Sequence, residues 1–84
     1  MKDELIKIFY QKKGGKKELG IIVGTYEDEK HPNRRFCFRR YPSPHTIWFN
    51  DARSVQDVMA YLWANEICAD AIIDQDIRII IEKA

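Results

Sequence analysis

The sequence predicts an α+β fold: a single antiparallel β-sheet with one amphipathic helix packed on one face, its elements in the order ββββαβ. Three observations predict it. Two apolar runs meet at a Gly-Gly turn in LIKIFYQKKGGKKELGIIVG, Leu5 to Gly24. Apolar and charged residues alternate with a period of two in RRFCFRRY, Arg34 to Tyr41. One stretch alone, around SVQDVMAYLWANE, combines an N-cap signal with apolar residues at helical spacing. With no βαβ alternation and no internal repeat, the strands fall into one sheet rather than a parallel, doubly covered one.

The first two strands form a hairpin. Glycine adopts positive φ without steric cost, so Gly14 and Gly15 suit a two-residue type I′ turn, with Lys13 facing Lys16. Counting outward from that turn sets Tyr10 opposite Leu19, Ile8 opposite Ile21 and Ile6 opposite Val23 on the core face. The second face carries Leu5, Lys7, Phe9, Gly20 and Ile22, more apolar than a solvated face requires. Thr25 and Tyr26 lead into the polar loop EDEKHPN, where Pro32 and Asn33 reverse the chain. In the third strand Phe36 and Phe38 point to the core, so Arg35, Cys37, Arg39 and Tyr41 emerge on the other face. Pro42 and Pro44 end it, and Thr46 to Phe49 form a short fourth strand.

Ser54, with Asp57 three residues on, approximates a capping box and starts a helix from about Val55 to Glu66. Val55, Val58, Met59 and Leu62 make its apolar stripe, Trp63 borders the stripe, and Tyr61 points the opposite way. CADAIIDQD, residues 68 to 76, admits a prolonged helix, a short second helix or an ordered loop. IRIIIE, Ile77 to Glu82, is a final strand. Its isoleucines on both faces place it inside the sheet or across a subunit boundary, because an exposed edge of that composition invites aggregation.

All 84 residues make one small α+β domain, residues 1–84, large enough to bury roughly 60–65% of the surface its unfolded chain exposes. A hydrophobic content of 45% and a charged content of 32% exclude a disordered chain. A net charge of +1 gives no general attraction to polyanions. No apolar run resembles a signal sequence or a membrane span, so the expected setting is cytoplasmic, with no membrane contact and with Cys37 and Cys68 as reduced thiols.

Candidate chemistry is sparse. Cys37, Cys68, His31 and His45 supply the number of ligands for a zinc site, but as scattered single residues rather than close pairs, so no metal and no cofactor is expected. His45, Asp51 and Ser54 hold the types of a hydrolytic triad, but Ser54 is committed as the N-cap. Glu66 projects toward the apolar stripe, where burial would raise its pKa, yet no partner base accompanies it. KKGGKK lacks the spacing of a phosphate-binding loop. The expectation is therefore a non-enzymatic, small regulatory or inhibitory module that occupies a partner protein's surface and itself forms a homodimer. The alternative is single-stranded DNA or RNA binding through the basic strand Arg34 to Tyr41 and the lysine-rich hairpin tip. Under either reading the candidate partner-binding residues are Arg35, Arg39, Tyr41, Lys12, Lys13, Lys16 and Lys17.

Overall fold

In a computed structural model, which describes residues 1–67 and 76–84, five strands form one antiparallel sheet with a helix on one face. The strands are β1 (Glu4–Lys12), β2 (Lys17–Thr25), β3 (Phe36–Arg40), β4 (Ile47–Phe49) and β5 (Ile77–Lys83), and the helix α1 (Val55–Leu62) lies between β4 and β5 in sequence. Their spatial order is β4-β3-β2-β1-β5, a meander of four strands that the last strand extends on the β1 side. The expected ββββαβ order and fold class hold. No helix among the described residues is long and apolar enough to cross a membrane.

Alternation explains the core. Ile8, Ile21, Val23 and Phe38 point to one face and are fully or almost fully buried with Val58, Leu62 and Ile67 from the helical segment. Ile6, Phe36, Phe49, Met59 and Ile79 close its margins. Ser54 caps the helix as expected: its hydroxyl accepts from the Asp57 N–H at 3.3 Å, and the Asp57 carboxylate accepts from the Arg53 N–H at 2.9 Å. The α-helix stops earlier than its predicted end at Glu66. Trp63–Ile67 wind as a π-helical turn, and that wider winding sets Ile67, five residues after Leu62, back into the core. Tyr61, expected to point away from the sheet, is 46% exposed yet sets an edge against the Phe49 ring at 5.3 Å.

The hairpin departs from its predicted register in three places: at the tip, after Ile8, and at Leu5, where Glu4 in its stead faces Gly24. Ile6 faces Val23 and Ile8 faces Ile21 as predicted, but Phe9 faces Leu19 and Tyr10 faces Glu18, so the Tyr10–Leu19 pair does not form. Gly20 is the extra residue of a β-bulge. The Tyr10 ring occupies the space a Cβ would take at Gly20, which is why this strand position has no side chain. At the tip only Gly14 has positive φ, +77°, and the Gly15 N–H donates to the Lys12 carbonyl at 2.8 Å. That pattern belongs to a type II turn with glycine third, in place of type I′ with Lys13 facing Lys16.

The final strand is not inside the sheet. Among the described residues β5 pairs with β1 alone and forms an edge. The sequence expectations for Cys68 and for residues 68 to 75 lie outside the described residues.

Candidate partner-binding face

The helix fills one face of the sheet and leaves the other uncovered by secondary structure among the described residues, so the candidate site is that open face. Strand register decides which side chains reach it. From β3 toward β5, successive rows bring together Arg39, Ile22, Lys7 and Glu82, then Leu19, Phe9 and Ile80, while Trp48 lies opposite Cys37 on the β4 side.

Sequence-predicted site residues separate in space. Arg39 emerges on the open face from the middle of β3, and Tyr41 follows just past the strand's end, 57% exposed. Arg35 and Tyr41 lie just outside the strand, one at each end. β3 begins at Phe36, one residue after Arg35, although the Tyr26 N–H still donates to the Arg35 carbonyl at 2.8 Å. Arg35 lines a depression of 310 Å³ with Asn33, Asp51, Ala52 and Arg53, and another of 370 Å³ with Tyr26, Asp28 and Arg34. Of the four tip lysines, Lys17 leans over the Phe9 ring at 4.4 Å and pairs with Glu82 at 3.0 Å. Lys12 and Lys13 line another depression with Asp76 and Arg78, and Lys16 is exposed.

Cys37 was expected to point outward, and it does face the open side, but it is completely buried. The segment before β1 folds over it: Lys2 and Asp3 bond the main chain and hydroxyl of Thr25, and Met1 lies where a side chain of Gly24 would stand. Burial pushes the Cys37 thiol above its ordinary pKa, and the α-ammonium of Met1 opposes that shift.

Tyr26 and Trp48, which the sequence reading left out, and Arg34, the first residue of its basic strand, complete the face. The Tyr26 and Trp48 rings stack at 5.9 Å, and the Arg34 guanidinium covers Trp48 at 4.6 Å. The loop before β3 holds Arg34 in place. Asp28 lies 3.8 Å from the Arg34 guanidinium and accepts from the Lys30 N–H at 3.0 Å, with His31 Nδ1 2.8 Å from the same carboxylate. The hydrogen bond with His31, aided by Lys30 and Arg34, holds the Asp28 carboxyl below its ordinary pKa. Arg34 Nε also donates to Asn50 at 3.0 Å. The available signal is the alternation of Trp48 against Ile47 and Phe49, which places it on the face away from the core.

Chemically, the face mixes exposed rings with cations that are mostly neutralised within the chain: Lys17 by Glu82, Lys7 by Glu4 at 3.7 Å and Arg34 by Asp28. Arg39 differs. It forms no ion pair among the described residues, and its Nε–H is buried without an acceptor. Beside it Phe9, Lys17, Glu18, Leu19, Tyr41 and Pro42 surround a shallow concavity of 640 Å³.

The remaining candidates resolve locally. Glu66 is not held bare against the apolar stripe: its carboxylate accepts from Arg40 at 2.6 and 2.9 Å, a bond between the helical segment's end and β3. Ser54 is engaged as the cap, and Asp51, at φ 63°, accepts from the Asn33 side chain at 3.0 Å. Among the described residues no group of three or more His, Cys, Asp or Glu side chains converges as a metal site. No protein-family model, curated protein or solved structure matches this chain.

Proposed function

We propose that this protein is a non-enzymatic regulatory or inhibitory module that occupies a partner protein's surface with the open face of its sheet. One observation carries the reading: Arg39, with no acceptor for its Nε–H, stands among the exposed Tyr41 and Trp48 on a face whose other cations are largely matched by the chain's own acids. Tyr, Trp and Arg are the residue types that dominate protein-interface energetics, and a neutralised rim suits a partner of mixed charge better than a polyanion. The partner presents a carboxylate to Arg39 and an apolar side chain to the concavity between Phe9, Leu19 and Tyr41.

Replacing Arg39→Ala together with Tyr41→Ala is expected to leave the fold intact and weaken the partner complex by about thirtyfold or more. Photo-crosslinking from the Tyr41 position identifies the partner, and titration calorimetry of wild type and double variant measures the loss. Full affinity in a folded double variant would overturn the reading. A second reading, single-stranded nucleic acid, is favoured by the Tyr26–Trp48 stack under Arg34, a plane on which a base could continue. It requires quenching of Trp48 fluorescence by an oligothymidine and an affinity that falls steeply with salt, whereas an apolar protein contact changes little.

A further inference from the structure

The edge strand β5, which no other strand among the described residues pairs on its outer side, points to a partner of a different kind. We infer that two copies of this chain join through β5 into one continuous antiparallel sheet, with the two-fold axis passing beside Ile80.

The first support is the direction of the main-chain groups. The Ala84 N–H donates to Leu5 O at 3.0 Å and the Lys13 N–H to Asp76 O at 3.2 Å, at the two ends of a register in which Ile6 faces Lys83 and Lys12 faces Ile77. In an antiparallel ladder hydrogen-bonded and non-hydrogen-bonded pairs alternate, so Asp76, Arg78, Ile80, Glu82 and Ala84 bond inward to β1. Ile77, Ile79, Ile81 and Lys83 then turn their N–H and C=O groups outward, with no strand among the described residues to receive them. A second β5 bonds this edge when the outward residues face one another, and a two-fold axis beside Ile80 does so: Ile77 faces the partner's Lys83, and Ile79 faces the partner's Ile81.

The second support is charge, and it selects the register. With the axis beside Ile80, Arg78 faces the partner's Glu82 and Glu82 faces the partner's Arg78, both on the open face and both at the closely spaced, non-hydrogen-bonded positions. Arg78 has no ion pair among the described residues. Glu82 uses Oε2 for Lys17 and keeps Oε1 for a second donor. Moving the axis to Ile79 sets Asp76 against the partner's Glu82. Moving it to Ile81 sets Glu82 against an isoleucine and leaves Arg78 without an acid.

The third support is apolar area. Ile81 is 44% exposed and Ile79 and Ile80 are partly exposed, more than an edge strand tolerates in isolation. The joint buries Ile79 and Ile81 on the helix side and sets Ile80 against the partner's Ile80 on the open side. It is independent of what binds the open face, whose rows it continues from one copy into the next.

Sedimentation velocity of the full chain over a dilution series tests this. Wild type is expected to pass from dimer to monomer. Arg78→Glu alone and Glu82→Arg alone each place like charges across the axis twice, and are expected to weaken the dimer about tenfold or more while the circular dichroism spectrum stays unchanged. Mixed in equal amounts, the two variants match every charge again and are expected to recover a dimer of wild-type strength. A wild type that is monomeric at every concentration, single variants that associate as tightly as wild type, or a mixture no stronger than its components would each overturn the proposal.

Discussion

The two faces of the sheet are made from the same strands and obey different rules. On the helix side nearly every contribution is apolar, with Ile8, Ile21, Val23 and Phe38 meeting Val58, Leu62 and Ile67, and the contact is closed by the chain itself. On the other side buried and exposed residues lie next to one another in the same row: Ile22 is 3% exposed beside a partly exposed Arg39, and Cys37 is fully buried beside an exposed Trp48. The difference is that a helix covers a face evenly, whereas the segment Met1 to Asp3 covers only the corner around Gly24 and Cys37. One face is finished; the other is finished at one corner.

Removing contacts on each face measures this contrast. Leu62→Ala is expected to cost about 2–5 kcal/mol, because it opens a cavity where helix and sheet meet and nothing flexible can fill it. Denaturant melts measure it, and a shift below about 0.5 kcal/mol would mean that the helix does not seal that face. Ile22→Val on the opposite face should cost about 0.5–1.5 kcal/mol, as it does for a buried isoleucine anywhere. A negligible loss there would show that the tail and the neighbouring side chains do not bury the corner. Trp48→Ala, on the exposed part of the same face, is expected to change stability least, by about 0.5 kcal/mol or less. A loss as large as that of Leu62→Ala would make Trp48 a structural residue and remove it from any partner site.

How far each face could be read from sequence follows from the same contrast. The packed face was legible because periodicity reports burial: the two-residue repeat in β1 to β3 and the helical spacing of Val58 and Leu62 leave one arrangement that buries them together. The bulge at Gly20 was not legible. It arises because the Tyr10 ring needs the space above a strand glycine, a tertiary demand that turn chemistry does not encode. The π-helical turn was similarly hidden, although the five-residue step from Leu62 to Ile67 is its trace. On the open face alternation assigned Arg39 to the correct side. β3 itself starts one residue after Arg35, and alternation did not give the burial of Cys37 because a neighbouring tail, not a pattern within β3, decides it. On folding, the ion pairs Lys17–Glu82 and Arg40–Glu66 join cations from the first half of the chain to acids of the second.

The order β4-β3-β2-β1-β5 gives β1 its nearest and its most distant sequence neighbours at once: Ile6 faces Val23 on one side and Lys83 on the other. Closing the longer loop costs only about 1.3 kcal/mol more chain entropy than closing the hairpin, since that cost grows with the logarithm of loop length. Time separates them more than energy does, because distant pairings form late. While the chain is being synthesised, β1 can zip to β2 as soon as the hairpin is complete, but its outer edge waits for β5, which follows every other strand. During that interval the bare edge offers the main-chain groups of Leu5, Lys7, Phe9 and Gln11, and β5 acts as a stopper that arrives last, taking the place any stray strand would otherwise claim.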